Sequence, residues 1–165
     1  MTEPDFWRTE IWHPLVLHFP LVLLLVSTVF QLVAVVNLKE SAPFWQRAGS
    51  YLLYGGYISA WLAIYTGDLA DGIVSRTICD PTVLKDHEIA AYYTAYIFSG
   101  ATAVDLGLIS GLIRRYRKVL RMGVFCLMLV GSGYLMYAGH LGARVVYQQA
   151  GGVKVPAADC TEYIK

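Results

Sequence analysis

The chain has 165 residues, 56% of them apolar and 15% charged, with a formal net charge of +1 and a mean hydropathy of +0.49. A soluble domain usually carries about 25% charged residues, so this composition speaks against a fully solvated coat. The length fits one compact domain, and the few basic residues, gathered mostly in one short loop, leave no footprint for nucleic acid.

The first residues, MTEPDFWRTEIWHP, carry Glu3, Asp5 and Glu10 against only Arg8. A signal peptide has a basic start, a short apolar core and a small-residue cleavage site. The apolar run that follows is too long for such a core, and the segment reads as a retained helix. Helix A spans residues 14–36 and ends at Asn37, Lys39 and Glu40. Pro14 suits a first helical turn, where its missing N–H would be unpaired anyway, and Pro20 predicts a kink.

Helix B spans residues 48–67 and is followed by a loop over 68–86. Helix C spans 89–113 with Asp105 as its charge, and helix D spans 122–141, followed by a tail over 144–165. About 20 residues cross a hydrocarbon core of about 30 Å, and each of the four meets that length. A chain this short cannot wrap four such helices in a polar shell. The expected fold is all-α: an integral membrane antiparallel four-helix bundle in a single domain, residues 1–165. No internal repeat stands out.

Basic residues set the orientation. Arg114, Arg115, Arg117, Lys118 and Arg121 crowd the C–D loop, and Lys39 and Arg47 flank the A–B loop. The positive-inside rule places both loops in the cytoplasm. Both termini and the 68–86 loop then lie outside, in the periplasm if the membrane is a bacterial inner membrane. Trp7, Trp12, Trp45, Tyr92 and Tyr147 fall near predicted helix ends, as an interfacial belt requires.

On this topology the four histidines meet at the outer end. His13 and His18 open helix A, with His18 about 7.5 Å deeper. His87 stands at the mouth of helix C, and His140 lies in the last turn of helix D. Asp68 ends helix B at the same level. His13 and His87 also suit a simple water-facing position, and His140 a helix C-terminus. His18 lies between apolar residues, where an ionisable group usually faces the interior, a cavity or a partner.

Neutral imidazole ligates haem iron and transition metals, and helix bundles place such ligands on facing helices. The expected cofactor-binding residues are His18, His87, His140 and His13, with His18 paired to His87 or His140. Arg144, four residues past His140, is placed to meet haem propionates. Gly55, Gly56, Gly131 and Gly133 would make room for a porphyrin, or simply let helices approach. A copper, zinc or iron site would use the same four histidines with Asp68. His13 and His18 point roughly 140° apart on a regular helix, which disfavours their sharing one small ion. No C-x-x-C-H run exists for covalent haem, and no hydrolase motif appears.

Asp105 needs a partner or a proton in the apolar span, and Ser132 lies at similar depth. Cys79 and Cys160 both fall outside, where a disulfide between them is expected. Cys126 reads as a small apolar filler.

The run His13-Pro14-Leu15-Val16-Leu17-His18-Phe19-Pro20 resembles the signature of a bacterial family of predicted membrane proteins, domain-of-unknown-function family 2231. The resemblance continues through Gly67-Asp68, His87, Gly139-His140-Leu141-Gly142, Val146-Tyr147 and Gly152-Val153, and covers roughly residues 12–153. Ala143 stands where the family has a second glycine. The resemblance implies a four-helix membrane architecture and no particular activity. The function expected from the residues is a haem b-binding electron carrier or subunit with bis-histidine ligation, working with the bilayer and with respiratory or redox membrane partners rather than as a stand-alone enzyme. The alternatives are a copper, zinc or non-haem iron protein, and a cofactor-free structural subunit.

Overall fold

The computed structural model describes residues 7–36, 42–113, 115–153 and 155. The elements are α1 (Thr9–Val16), α2 (His18–Val36), α3 (Ala42–Val74), α4 (Pro81–Ile109) and α5 (Arg117–Gln149). α1 and α2 are one helix broken at Leu17. Pro20 has no N–H to give the Val16 carbonyl, and the ladder is interrupted there. On either side it holds, with Leu17 N–H donating to His13 (3.0 Å) and Leu21 N–H to Leu17 (3.3 Å). Pro14 lies inside α1 rather than in a first turn, because the helix already begins at Thr9.

The other helices overrun their expected limits, mostly at the histidine end. α3 continues past Gly67 to Val74, and α4 starts at Pro81. The Asp80 carboxylate caps α4 by accepting the Thr82 N–H at 3.0 Å. The expected 68–86 loop therefore shrinks to residues 75–80. α5 runs to Gln149, into the expected tail, and closes on Ala150 (φ 53°) with Gly151 N–H donating to Val145 at 2.9 Å. At the other end Arg117, Lys118 and Arg121 belong to α5 and not to a loop. Charge had marked the expected limits, yet charge ends a membrane span without ending a helix.

The four long helices pack in ring order α2, α3, α4, α5. Neighbours touch; α2 and α4 lie on one diagonal, and α3 and α5 on the other. Although no repeat stands out in the sequence, the structure contains one. α3 and α5 are each 33 residues long. Buried Pro20, Leu24, Ser27, Thr28 and Gln31 of α2 map, at one constant spacing, onto buried Thr94, Phe98, Ala101, Thr102 and Asp105 of α4. Buried Val124, Phe125, Met128, Gly131, Ala138, Leu141 and Val145 of α5 map likewise onto buried Gly49, Ser50, Leu53, Gly56, Ala63, Thr66 and Ala70 of α3. The fold is one helical hairpin used twice. Its copies are related by an approximate twofold along the helices, which exchanges the α2–α5 contact with the α4–α3 contact.

Polar side chains are held inside, around an apolar core of Leu24, Leu53, Phe98, Leu108 and Met128, and apolar ones cover the exterior. Ser27, Thr28, Gln31, Ser50, Thr102 and Asp105 are buried, while Val22, Val29, Ile58, Leu62, Leu106 and Val130 are exposed. Among the described residues two helices, Thr9–Val36 and Arg117–Gln149, are long and apolar enough to cross a membrane. Only 28% and 22% of their apolar stretches are buried, whereas a core helix of a soluble protein would be mostly covered. α3 and α4 are long enough but more polar.

Candidate functional site: a histidine pair on the repeat axis

α1 carries His13 and α4 carries His87, repeat equivalents on one diagonal of the bundle. Equivalent residues that touch must lie at the axis, and these do: their ring centroids are 6.0 Å apart, with the planes at 76°. His13 Nδ1 lies 2.9 Å from the Ala63 carbonyl of α3, and His87 Nδ1 lies 2.8 Å from the Ala138 carbonyl of α5. A carbonyl oxygen only accepts, so Nδ1 carries the proton in each ring. In the neutral imidazole Nε2 is then the bare lone pair.

One turn beyond each carbonyl stands a glycine against the ring. A Cβ at Gly67 would meet the His13 ring at 3.2 Å, and one at Gly142 would meet the His87 ring at 3.1 Å. Ala63 and Ala138 are repeat equivalents, as are Gly67 and Gly142. α4 begins six residues before His87 and carries it well inside the helix rather than at its mouth. Burial holds the His87 imidazole below the ordinary histidine range, partly offset by its bond to Ala138 and by the Glu88 carboxylate.

The other expected site residues lie elsewhere. His18 is exposed on α2, turned from His13 as their five-residue spacing requires, and His140 is exposed on α5. The rings brought together are thus His13 and His87, and not the expected pairing through His18. Asp68 is exposed and accepts the Tyr92 hydroxyl at 3.1 Å. Arg144 donates from Nε to Gln148 at 3.1 Å. Among the described residues no three His, Cys, Asp or Glu side chains form a group that could hold a metal ion. His18, His87, His140, His13 and Asp68 are therefore not one cluster.

A second polar group lies deeper. Asp105, 2% exposed, accepts the Tyr54 hydroxyl at 2.8 Å. Ser132, its expected partner, is bonded instead to Thr28 across α2 and α5 at 3.0 Å. Trp61 donates to Ser99 at 3.1 Å and packs against Tyr96, while Tyr134 and Tyr137 line an open groove with Val130 and Gly133. Cys79 and Cys126 are free and exposed, so Cys126 does not fill the core. The expected disulfide partner, Cys160, lies outside the described residues.

Sequence reasoning missed that His13, half-buried against α3 and α4, is the inward-facing histidine of the broken first helix. The signal was there in spacing: His-x10-Leu-x3-Thr from His13 recurs as His-x10-Phe-x3-Thr from His87. Gly56, Ala63 and Gly67 recur in the same spacing as Gly131, Ala138 and Gly142.

A family model described as predicted membrane protein (DUF2231) matches residues 11–155. The chain belongs to the DUF2231 family. The match takes in both hairpins, the histidine pair and both glycines beneath it. No curated protein and no solved structure matches the chain.

Proposed function

We propose that all four long helices cross the bilayer and that the chain is a structural subunit of a membrane assembly, held together at its outer end by the histidine pair. The distribution of apolar residues supports the membrane placement. The repeat extends it: α5 meets the length and composition test and its equivalent is α3, while α2 meets it and its equivalent is α4. The arginine end faces the cytoplasm by the positive-inside rule, which puts the histidine end on the periplasmic side of a bacterial inner membrane.

One observation carries the structural reading. Each imidazole of the pair gives its N–H to the main chain of a neighbouring helix, bolting α1 to α3 and α4 to α5. Such interhelical bonds contribute about 0.6 kcal/mol on average in a membrane, and up to roughly 1.7. The experiment is thermal unfolding of the purified chain. His13→Ala and His87→Ala each lower stability by about 1–2 kcal/mol, and His18→Ala leaves it unchanged. Equal stability of all three variants would remove the clamp.

The haem b-binding electron carrier stands as a second reading. It is favoured by the lone pair that the same bonds leave on each Nε2. A copper, zinc or non-haem iron site of three or four donors finds no such group among the described residues.

A further inference from the structure

We infer that Nε2 of His13 and Nε2 of His87 form an opposed ligand pair for one metal centre, either the iron of a b-type haem or a single monovalent copper ion. The inference rests on the second reading above and gives it a specific pair of residues.

Three features of the pair fit a ligand role. Ligating histidines nearly always donate their other ring N–H to a carbonyl or carboxylate, which fixes tautomer and orientation. Both rings do so here, to main-chain oxygens that rigid helices hold in place. The separation also fits. Two metal–nitrogen bonds of about 2.0–2.1 Å plus about 1.2 Å from each nitrogen to its ring centroid come to roughly 6.4 Å on a straight line, and the observed 6.0 Å lies a few tenths of an ångström inside that. Steep inclination of the planes, 76°, is open to two rings that share one axial line.

The donor count selects the metal. Zinc takes four ligands in a closed structural site, and only two imidazoles are offered. Haem iron brings four equatorial nitrogens of its own and needs two axial ligands. Monovalent copper is the bare ion that two opposed nitrogens would satisfy. The helices that do not carry the ligands present Gly67 and Gly142 at this level, so neither adds a side chain at the axis. The centre would sit where the hairpins meet, with one ligand from each.

The test separates a ligand from a clamp. In His13→Asn and His87→Asn the amide nitrogen keeps an N–H at the δ position, able to reach the Ala63 or Ala138 carbonyl, and Nε2 is deleted. The full chain, purified in detergent without added metal, is titrated with haemin and, separately, with monovalent copper. The wild type should take one equivalent of one of these probes, haemin giving a six-coordinate low-spin spectrum. Both Asn variants should keep the wild-type unfolding temperature and lose more than about tenfold in affinity, while His18→Asn and His140→Asn bind as wild type.

Failure of both probes to bind at one equivalent would overturn the inference, as would loss on replacing His18 or His140 instead. If an Asn variant does not fold, the wild-type haemin spectrum decides, because a five-coordinate high-spin form shows that two imidazoles are not engaged, unless copper binds at one equivalent. Unfolding of the Ala variants reports on the clamp separately. Loss of stability without probe binding leaves the clamp and removes the ligand pair; probe binding without loss of stability does the reverse.

Discussion

Leu24 and Phe98 are both fully buried, and each lies across a glycine of the following helix, Gly56 and Gly131 respectively. They hold equivalent places in the two hairpins, where they set how closely α2 approaches α3 and α4 approaches α5. Without an oil-and-water force between helices inside a bilayer, close contact over small residues is a main source of cohesion.

Adding one methyl at these glycines should therefore be costly in both hairpins. A Cβ at Gly56 would stand 2.5 Å from the Leu24 side chain, and one at Gly131 would stand 2.8 Å from the Phe98 ring. Gly56→Ala and Gly131→Ala should each destabilise the protein by about 1–3 kcal/mol. Gly133→Ala, whose Cβ would meet nothing within 4 Å, is the control. Thermal unfolding of the three variants checks this, and equal behaviour would contradict the packing.

Asp105 and Tyr54 form the polar contact of the inner half, where Gln31 holds the equivalent place in the first hairpin. Removing the hydroxyl by Tyr54→Phe leaves a buried carboxylate short of a donor, at a cost of about 1–3 kcal/mol. A double-mutant cycle with Asp105→Asn should give a coupling of about 0.5–3 kcal/mol. Additive effects would mean that the 2.8 Å bond contributes nothing in the bilayer or in detergent.

Acid should loosen the histidine end. Because burial depresses the folded pKa of His87 below the ordinary value of 6.5, the folded state holds fewer protons than the unfolded one near that pH. Its contribution is present in full above the unfolded value and is lost as the pH falls through the lower folded value. His13 across the axis and Glu88 beside the ring are the titratable groups that face it. Unfolding temperatures of wild type and His87→Asn between about pH 8 and pH 5 check this. The wild type should fall more steeply on acidification, and parallel curves would exclude His87 as the sensor.

Helix number, order and up-down course were legible because long uncharged runs separated by polar turns leave few other folds for so short a chain. That His13 and His18 face different ways was legible too, since it follows from the rotation per residue of a helix. Which of the two faces inward was not, because apolar residues surround both sides of α2 in a protein whose exterior is apolar. Depth suggested His18; packing against Gly67 chose His13. The repeat escaped notice because its hairpins share burial, spacing and a few residues rather than running identity, as with Leu24 and Phe98, or Gln31 and Asp105. Ends at the histidine side were misjudged for a separate reason: Asp68, Asp71 and Asp86 set the expected limits because charge is costly in a bilayer, yet α3 and α4 run through them.

On the proposed topology both hairpins cross the bilayer and leave the histidine pair on the outer face. Cysteine accessibility in intact cells tests it most directly, using Cys79 at that end and Arg115→Cys at the other, each as the sole cysteine of the chain. A membrane-impermeant thiol reagent added from outside should label Cys79 in intact cells, and should reach the cysteine at 115 only after the membrane is opened. Labelling of both sites from outside, or of the site at 115 alone, would contradict the account.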